Sequence, residues 1–104
     1  MSSIRVAIVK YLGDDPQPGL VECRLIDLHG VEWVFVDKVA IFTDAPLHAG
    51  TAYPQPGSIR CVVRDRRVDA RGNQVVTVDT TTPDDIEAIG GVSRFDVRLE
   101  RLVE

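Results

Sequence analysis

Between Ser58 and Arg64 the side chains alternate with a period of two, and this constrains the chain more than any other stretch. Ile59, Cys61 and Val63 share one face; Arg60, Val62 and Arg64 share the other. Such alternation marks a β-strand with one buried face. Asp69-Ala70-Arg71-Gly72 follows as a turn. Asp bonds its own backbone there, and Gly tolerates the positive φ such a turn demands. Gln74 to Thr80 returns as a Val-rich strand. The product is a hairpin from Ser58 to Thr80, and the rest of the chain must cover its apolar face.

The upstream residues supply similar material. Ile4 to Leu12 reads as a strand with Ile4, Val6 and Ile8 on one face and Arg5, Ala7 and Val9 on the other. Gly13 to Gly19 is loop chemistry, with Pro16 and Pro18 unable to donate to a ladder. Leu20 to Asp27 points Val21, Cys23 and Leu25 inward, and Val31 to Val36 is rich in aromatic and β-branched residues. Asp27-Leu28-His29-Gly30 joins these two strands. It repeats the Asp69-x-x-Gly72 pattern, with Val36-Asp37 and Val78-Asp79 at the same spacing beyond each turn. Two similar hairpins are expected, and shared turn chemistry explains the likeness without a duplication. Cys61 lies farther from its Asp than Cys23 does, so the second hairpin is longer or carries a bulge near Asp65-Arg66-Arg67.

Other segments are less regular. Asp37 to Phe42 is expected to extend the third strand or to bend into a short strand of its own. Thr43 to Gly57 is a long irregular connection, polyproline-like over Tyr53 to Gln55, with Pro56-Gly57 turning into the strand at Ser58. Thr81 to Gly91 admits two readings. One is a short helix opened by Thr82-Pro83-Asp84-Asp85. The other, which the residues favour slightly, is a hairpin on Gly90-Gly91. Val92 to Val103 reads as one long strand with Phe95, Val97 and Leu99 inward. The sum is an all-β chain: a small, partly open antiparallel β-barrel of about six or seven strands with at most one short helix. Its 104 residues make one domain, 1–104.

Pro56-Gly57-Ser58-Ile59-Arg60-Cys61-Val62-Val63 resembles the proline–glycine lead into the strand of small translation-type and SH3- or OB-like barrels. The resemblance spans eight residues, and no functional residue is carried across from it.

Chemistry is sparse. The net charge of −4 disfavours a dedicated nucleic-acid or anionic-membrane binder. No apolar run approaches the length of a membrane span, and Met1 leads straight into an alternating strand, so a cytoplasmic protein is expected. Cys23 and Cys61 sit among apolar residues and read as buried free thiols rather than a disulfide. Neither a metal site nor a cofactor is expected. The acidic run from Asp79 to Glu87 lacks the spacing of a calcium loop. His29 reads as a solvated turn residue, and His48 lacks a nucleophile context.

The remaining candidates are binding residues. Arg60, Arg64, Arg66 and Arg67 cluster on the hairpin, with Arg71 at its tip. Arg94 and Arg98 would join them in a stripe if the last strand lay alongside. Arg forks read phosphates and carboxylates. Pairing with Asp65, Asp69, Asp96 and Glu100 is the plainer expectation. The long loop offers Tyr53 and His48, and Trp33 and Phe35 form a second candidate contact surface, although strand aromatics usually face the core. The expected function is a non-enzymatic binding module of bacterial type, an adaptor or immunity-like protein whose partner is another protein. A homodimer through an edge strand is compatible with an open barrel. The alternative is a nucleic-acid-associated SH3/OB-like barrel using the arginine stripe.

Overall fold

The computed structural model describes residues 1–15, 17 and 19–104. The prolines at 16 and 18, read above as loop formers, lie outside the described residues. The strands are β1 (Ser2–Gly13), β2 (Leu20–Ile26), β3 (Glu32–Lys38), β4 (Gln55–Val68), β5 (Gln74–Asp79), β6 (Arg94–Arg98) and β7 (Leu102–Val103). All pairings are antiparallel, in the order β3-β2-β1-β4-β5-β6, with β7 added beside the start of β1. The sheet curls into a half-barrel around one core. Ile4, Ile8, Val21, Cys23, Leu25, Phe35, Ile59 and Val78 are wholly buried there.

Two bulges keep this core apolar. In β1, Ile8 pairs with Cys23 and Lys10 with Glu22, which leaves Val9 as an extra residue. In β4, Val63 pairs with Val78 and Asp65 with Thr77, which leaves Arg64 extra. Strict alternation would carry Ile4-Val6-Ile8 on to Lys10 and Ile59-Cys61-Val63 on to Asp65. Each bulge intervenes one residue earlier and turns the charge out. The second bulge lies one residue before the stretch where the alternation visibly breaks.

The turns repeat more closely than the sequence suggests. In the first, the Asp27 N–H donates to Val31 O and the Gly30 N–H to Asp27 O, while Asp27 Oδ1 accepts from the N–H groups of His29 and Val31. In the second, Asp69, Asn73, Gly72 and Arg71 make the same four bonds. A third loop has the same backbone pattern without the carboxylate: Ala88 N–H to Val92 O and Gly91 N–H to Ala88 O. Gly30, Gly72 and Gly91 sit at φ of 79°, 84° and 84°, the left-handed position that closes a three-residue hairpin loop. The likeness ends at the turns. Val76 and Val78 join the core, whereas their counterparts Val34 and Val36 are paired with Arg24 and Glu22 on the outer face. Good turn chemistry used twice explains this better than a repeated unit.

Four expectations need correction. Val39–Phe42 is a single helical turn, not a strand, and it buries Val39 and Phe42 against the core. Pro56 and Gly57 do not turn; they lie inside β4, opposite Ala7 and Val6. Proline is tolerated because this is the start of the strand, and glycine because a Cβ would sit 2.9 Å from Ile8 Cδ1 and Cγ1. Thr81 to Ser93 forms neither a helix nor paired strands; only the loop at Gly90-Gly91 persists. Val92 to Val103 is interrupted by a 3-10 turn at Leu99–Arg101, which carries the chain from β6 across to β1.

The two free edges, β3 and β6, meet without forming a ladder. Phe95 of β6 packs edge-on against Trp33 and Phe35 of β3, with ring centroids 5.5 and 5.6 Å apart. Two loop amides complete the seam: Leu28 N–H donates to Asp96 O at 2.8 Å, and Ile89 N–H to Val34 O at 2.7 Å. The barrel is thus partly open in its hydrogen bonding and closed by rings.

Candidate functional site

Arg60, Arg64, Arg66 and Arg67 are present at the surface, but acids occupy them; Arg71 at the tip makes no ion pair among the described residues. Arg60 forks onto Asp84, with Nε 2.9 Å from Oδ2. Arg64 reaches Asp79 at 3.7 Å, Arg66 reaches Glu104 at 2.7 Å, and Arg67 reaches both Asp65 and Asp96 at 3.2 Å. Arg94 also pairs with Asp79. The expected stripe does not assemble, because β5 lies between β4 and β6. Of the acids expected as partners, Asp65 and Asp96 serve. Asp69 is committed to its turn, and Asp79, Asp84 and Glu104 take the other places.

Two of these acids are held below the usual carboxylate range. Asp79 is buried on the outer face, and its carboxyl is held below the usual range, first by the Thr81 hydroxyl at 2.6 Å, then by the Thr81 N–H, with Arg94 and Arg64 adding attraction. Asp96 is lowered first by the Thr77 hydroxyl at 2.6 Å, with His29 and Arg67 contributing. His29 is therefore a partner of Asp96 as well as a turn residue.

The long loop is organised by its own bonds. Tyr53 OH donates to His48 O at 2.8 Å, and His48 Nδ1 accepts the Gly50 N–H at 3.1 Å. The loop brings Tyr53 and His48 together, apart from the arginines, and Tyr53 packs against the core. Trp33 and Phe35 do not form a contact surface: Phe35 is wholly buried, and Trp33 lies in the seam with its Nε1–H donating to Asp27 Oδ2. Both cysteines are free, and burial pushes the Cys23 thiol up to about 12 and the Cys61 thiol up to about 11. No His/Cys/Asp/Glu group suited to a metal is found among the described residues.

A different set of arginines remains. Arg5, Arg98 and Arg101 make no ion pair within 4.0 Å among the described residues. All three line one cavity of about 420 Å³, together with Ile26, Asp27, Leu28 and Glu100. Three elements build it: the outer face of β1, the tip of the β2–β3 hairpin, and the crossover from β6 to β7. Backbone carbonyls position two of the guanidiniums. Arg5 Nη1 donates to Glu100 O at 2.8 Å, and Arg101 Nη1 to Arg5 O at 3.2 Å. Arg98 acts on Asp69 through its charge without pairing with it, the weakest of several influences led by the Asn73 N–H. Asp27 in the same wall is already saturated by His29, Val31 and Trp33. No known family, curated protein or solved structure matches this chain. Among the described residues, no helix is long and apolar enough to cross a membrane.

Local sequence does not reveal this cavity. Its arginines come from the two ends of the chain, and only the placement of β7 beside β1 unites them. One faint signal exists: Arg5 stands among apolar residues with no acid nearer than Asp14.

Proposed function

We propose that this chain is a non-enzymatic binding module that engages a carboxylate group of another protein through Arg5, Arg98 and Arg101. One observation carries the reading. Arg24, Arg60, Arg64, Arg66, Arg67 and Arg94 are each ion-paired with an acid, while these three line one cavity and make no ion pair among the described residues, although Asp27 and Glu100 stand in the same wall. A guanidinium fork held in place by the backbone loses little freedom on binding, and its remaining N–H groups suit a carboxylate. Adaptor and immunity-type proteins work in this manner, by surface recognition without chemistry.

The test is an NMR titration with acetate. Expected are saturable shifts confined to Arg5, Arg98, Arg101 and their neighbours, abolished in Arg98→Gln. Shifts spread evenly over the surface arginines would overturn the reading. The alternative, nucleic-acid binding through the hairpin, requires Arg60, Arg64, Arg66 and Arg67 to leave their acids. Single-stranded RNA binding that weakens steeply with salt and falls in Arg64→Ala/Arg66→Ala would favour it.

A further inference from the structure

The arginine cavity does not end at the arginines. Ile26 and Arg101 also form part of the wall of a neighbouring groove of about 620 Å³, which runs over Ala7 and Val9 on the outer face of β1 and β2. The cationic cavity and the partly apolar groove are therefore two compartments with shared walls. Ile26 stands 54% exposed at their junction and lines both compartments.

We infer that the two compartments together receive a polypeptide C-terminus, its terminal carboxylate among Arg5, Arg98 and Arg101 and its last apolar side chains on Ile26, Ala7 and Val9. This deepens the proposed function and rests on it.

Charge selects the head group. Arg5, Arg98 and Arg101 face Asp27 and Glu100 in the same wall, which leaves one positive charge in excess. A single carboxylate balances that excess; a phosphate dianion overshoots it. Polarity selects the tail. Lys10, Glu22, Arg24 and Glu32 border the groove. A peptide presents amides to such a rim, whereas a hydrocarbon chain presents nothing. Arg24 is tied to Glu22 at 3.0 Å and to Glu32 at 2.5 Å, so the rim is neutralised and fixed. The head group must therefore supply the electrostatic selectivity.

An array of random heptapeptides, each synthesised with a free and with an amidated C-terminus, tests the inference with the intact protein. Expected are binders confined to the free-terminus set and enriched in apolar final residues, with at least a tenfold loss on amidation. Arg98→Gln should abolish both peptide binding and the acetate shifts. Ile26→Ser, at an exposed position, should weaken the peptides about tenfold and leave the acetate shifts intact. Equal binding by amidated peptides, or no peptide binding while acetate still shifts the arginines, overturns the C-terminus and spares the carboxylate site. Decanoate binding tighter than any peptide assigns the groove to a hydrocarbon tail and overturns the inference. Loss of the acetate shifts themselves removes the underlying reading.

Discussion

Phe95 is the ring on which the seam closes, so Phe95→Ala should open the barrel as well as weaken it. The residue is 2% exposed and packs edge-on against both Trp33 and Phe35. Truncating a buried Phe costs about 3–5 kcal/mol, and loss of edge-to-face partners adds roughly 0.5–1.5 kcal/mol per pair. A domain of this size has about 5–15 kcal/mol in total. With an m-value near 1.5 kcal/mol/M, a loss of about 4 kcal/mol lowers the urea midpoint by about 2.7 M. Trp33 is the only tryptophan, so its emission follows the transition directly. Amide exchange separates opening from general weakening. Leu28 and Ile89 donate across the seam, and in Phe95→Ala they should exchange faster than the lowered global stability requires. Phe42→Ala removes an equally buried ring that takes no part in the ring contacts of the seam. It should lower the midpoint while Leu28 and Ile89 still track global unfolding. If both variants leave those amides equally protected, the rings fill space and do not close the seam.

Other consequences can be measured separately. Gly57→Ala should cost about 1–3 kcal/mol through overpacking, because its Cβ would meet Ile8 at 2.9 Å and Phe42 O at 3.3 Å; thermal melts check it. Asp27→Ala should lower the melting temperature more than Asp69→Ala. Both lose the turn acceptor, but the other oxygen of Asp27 holds the Trp33 indole at 2.8 Å, whereas that of Asp69 accepts only a long bond from the Asn73 amide at 3.4 Å; equal losses would show that the indole bond contributes no more than that long amide bond. Thr81→Val removes the leading donor to Asp79, whose folded carboxyl is held below its ordinary value. A lowered carboxylate stabilises the fold above its unfolded pKa, about 3.9, and that contribution fades as pH falls through the folded value. Wild type and Thr81→Val should therefore differ in urea midpoint at pH 7, with the gap starting to narrow as pH falls below about 4 and closing through the lower folded value.

The barrel was legible wherever alternation and turn chemistry act locally. Ile59-Cys61-Val63, Val21-Cys23-Leu25 and the two Asp-x-x-Gly turns specify their own conformations. Val39–Phe42 was not legible, because a single helical turn carries no periodicity and is held by burying Val39 and Phe42. Pro56-Gly57 misled because the pair is common in turns, and only the close approach to Ile8 shows why a strand needs glycine there. Leu99 misled because nothing local marks where a strand must break to reach another neighbour. Arg60, Arg64, Arg66 and Arg67 of the hairpin proved to be paired. The three that share a cavity lay at opposite ends of the sequence, where only tertiary contact unites them.

The bulge at Arg64 also bears on how this strand tolerates change. Upstream of it, the odd-numbered Ile59 and Cys61 of β4 are buried; downstream, the even-numbered Arg66 stands opposite buried Val76 but is itself exposed beyond the core. Arg64 works as a phase shifter, and its identity matters less than its existence. Substituting it costs a long ion pair on the surface. Deleting it would restore strict alternation and swing Asp65 and Arg67 toward the core side in place of Arg66, or else slide the β4–β5 turn out of register. The same holds for Val9 ahead of Lys10 in β1. Along these two strands the chain should accept many substitutions and refuse single-residue deletions.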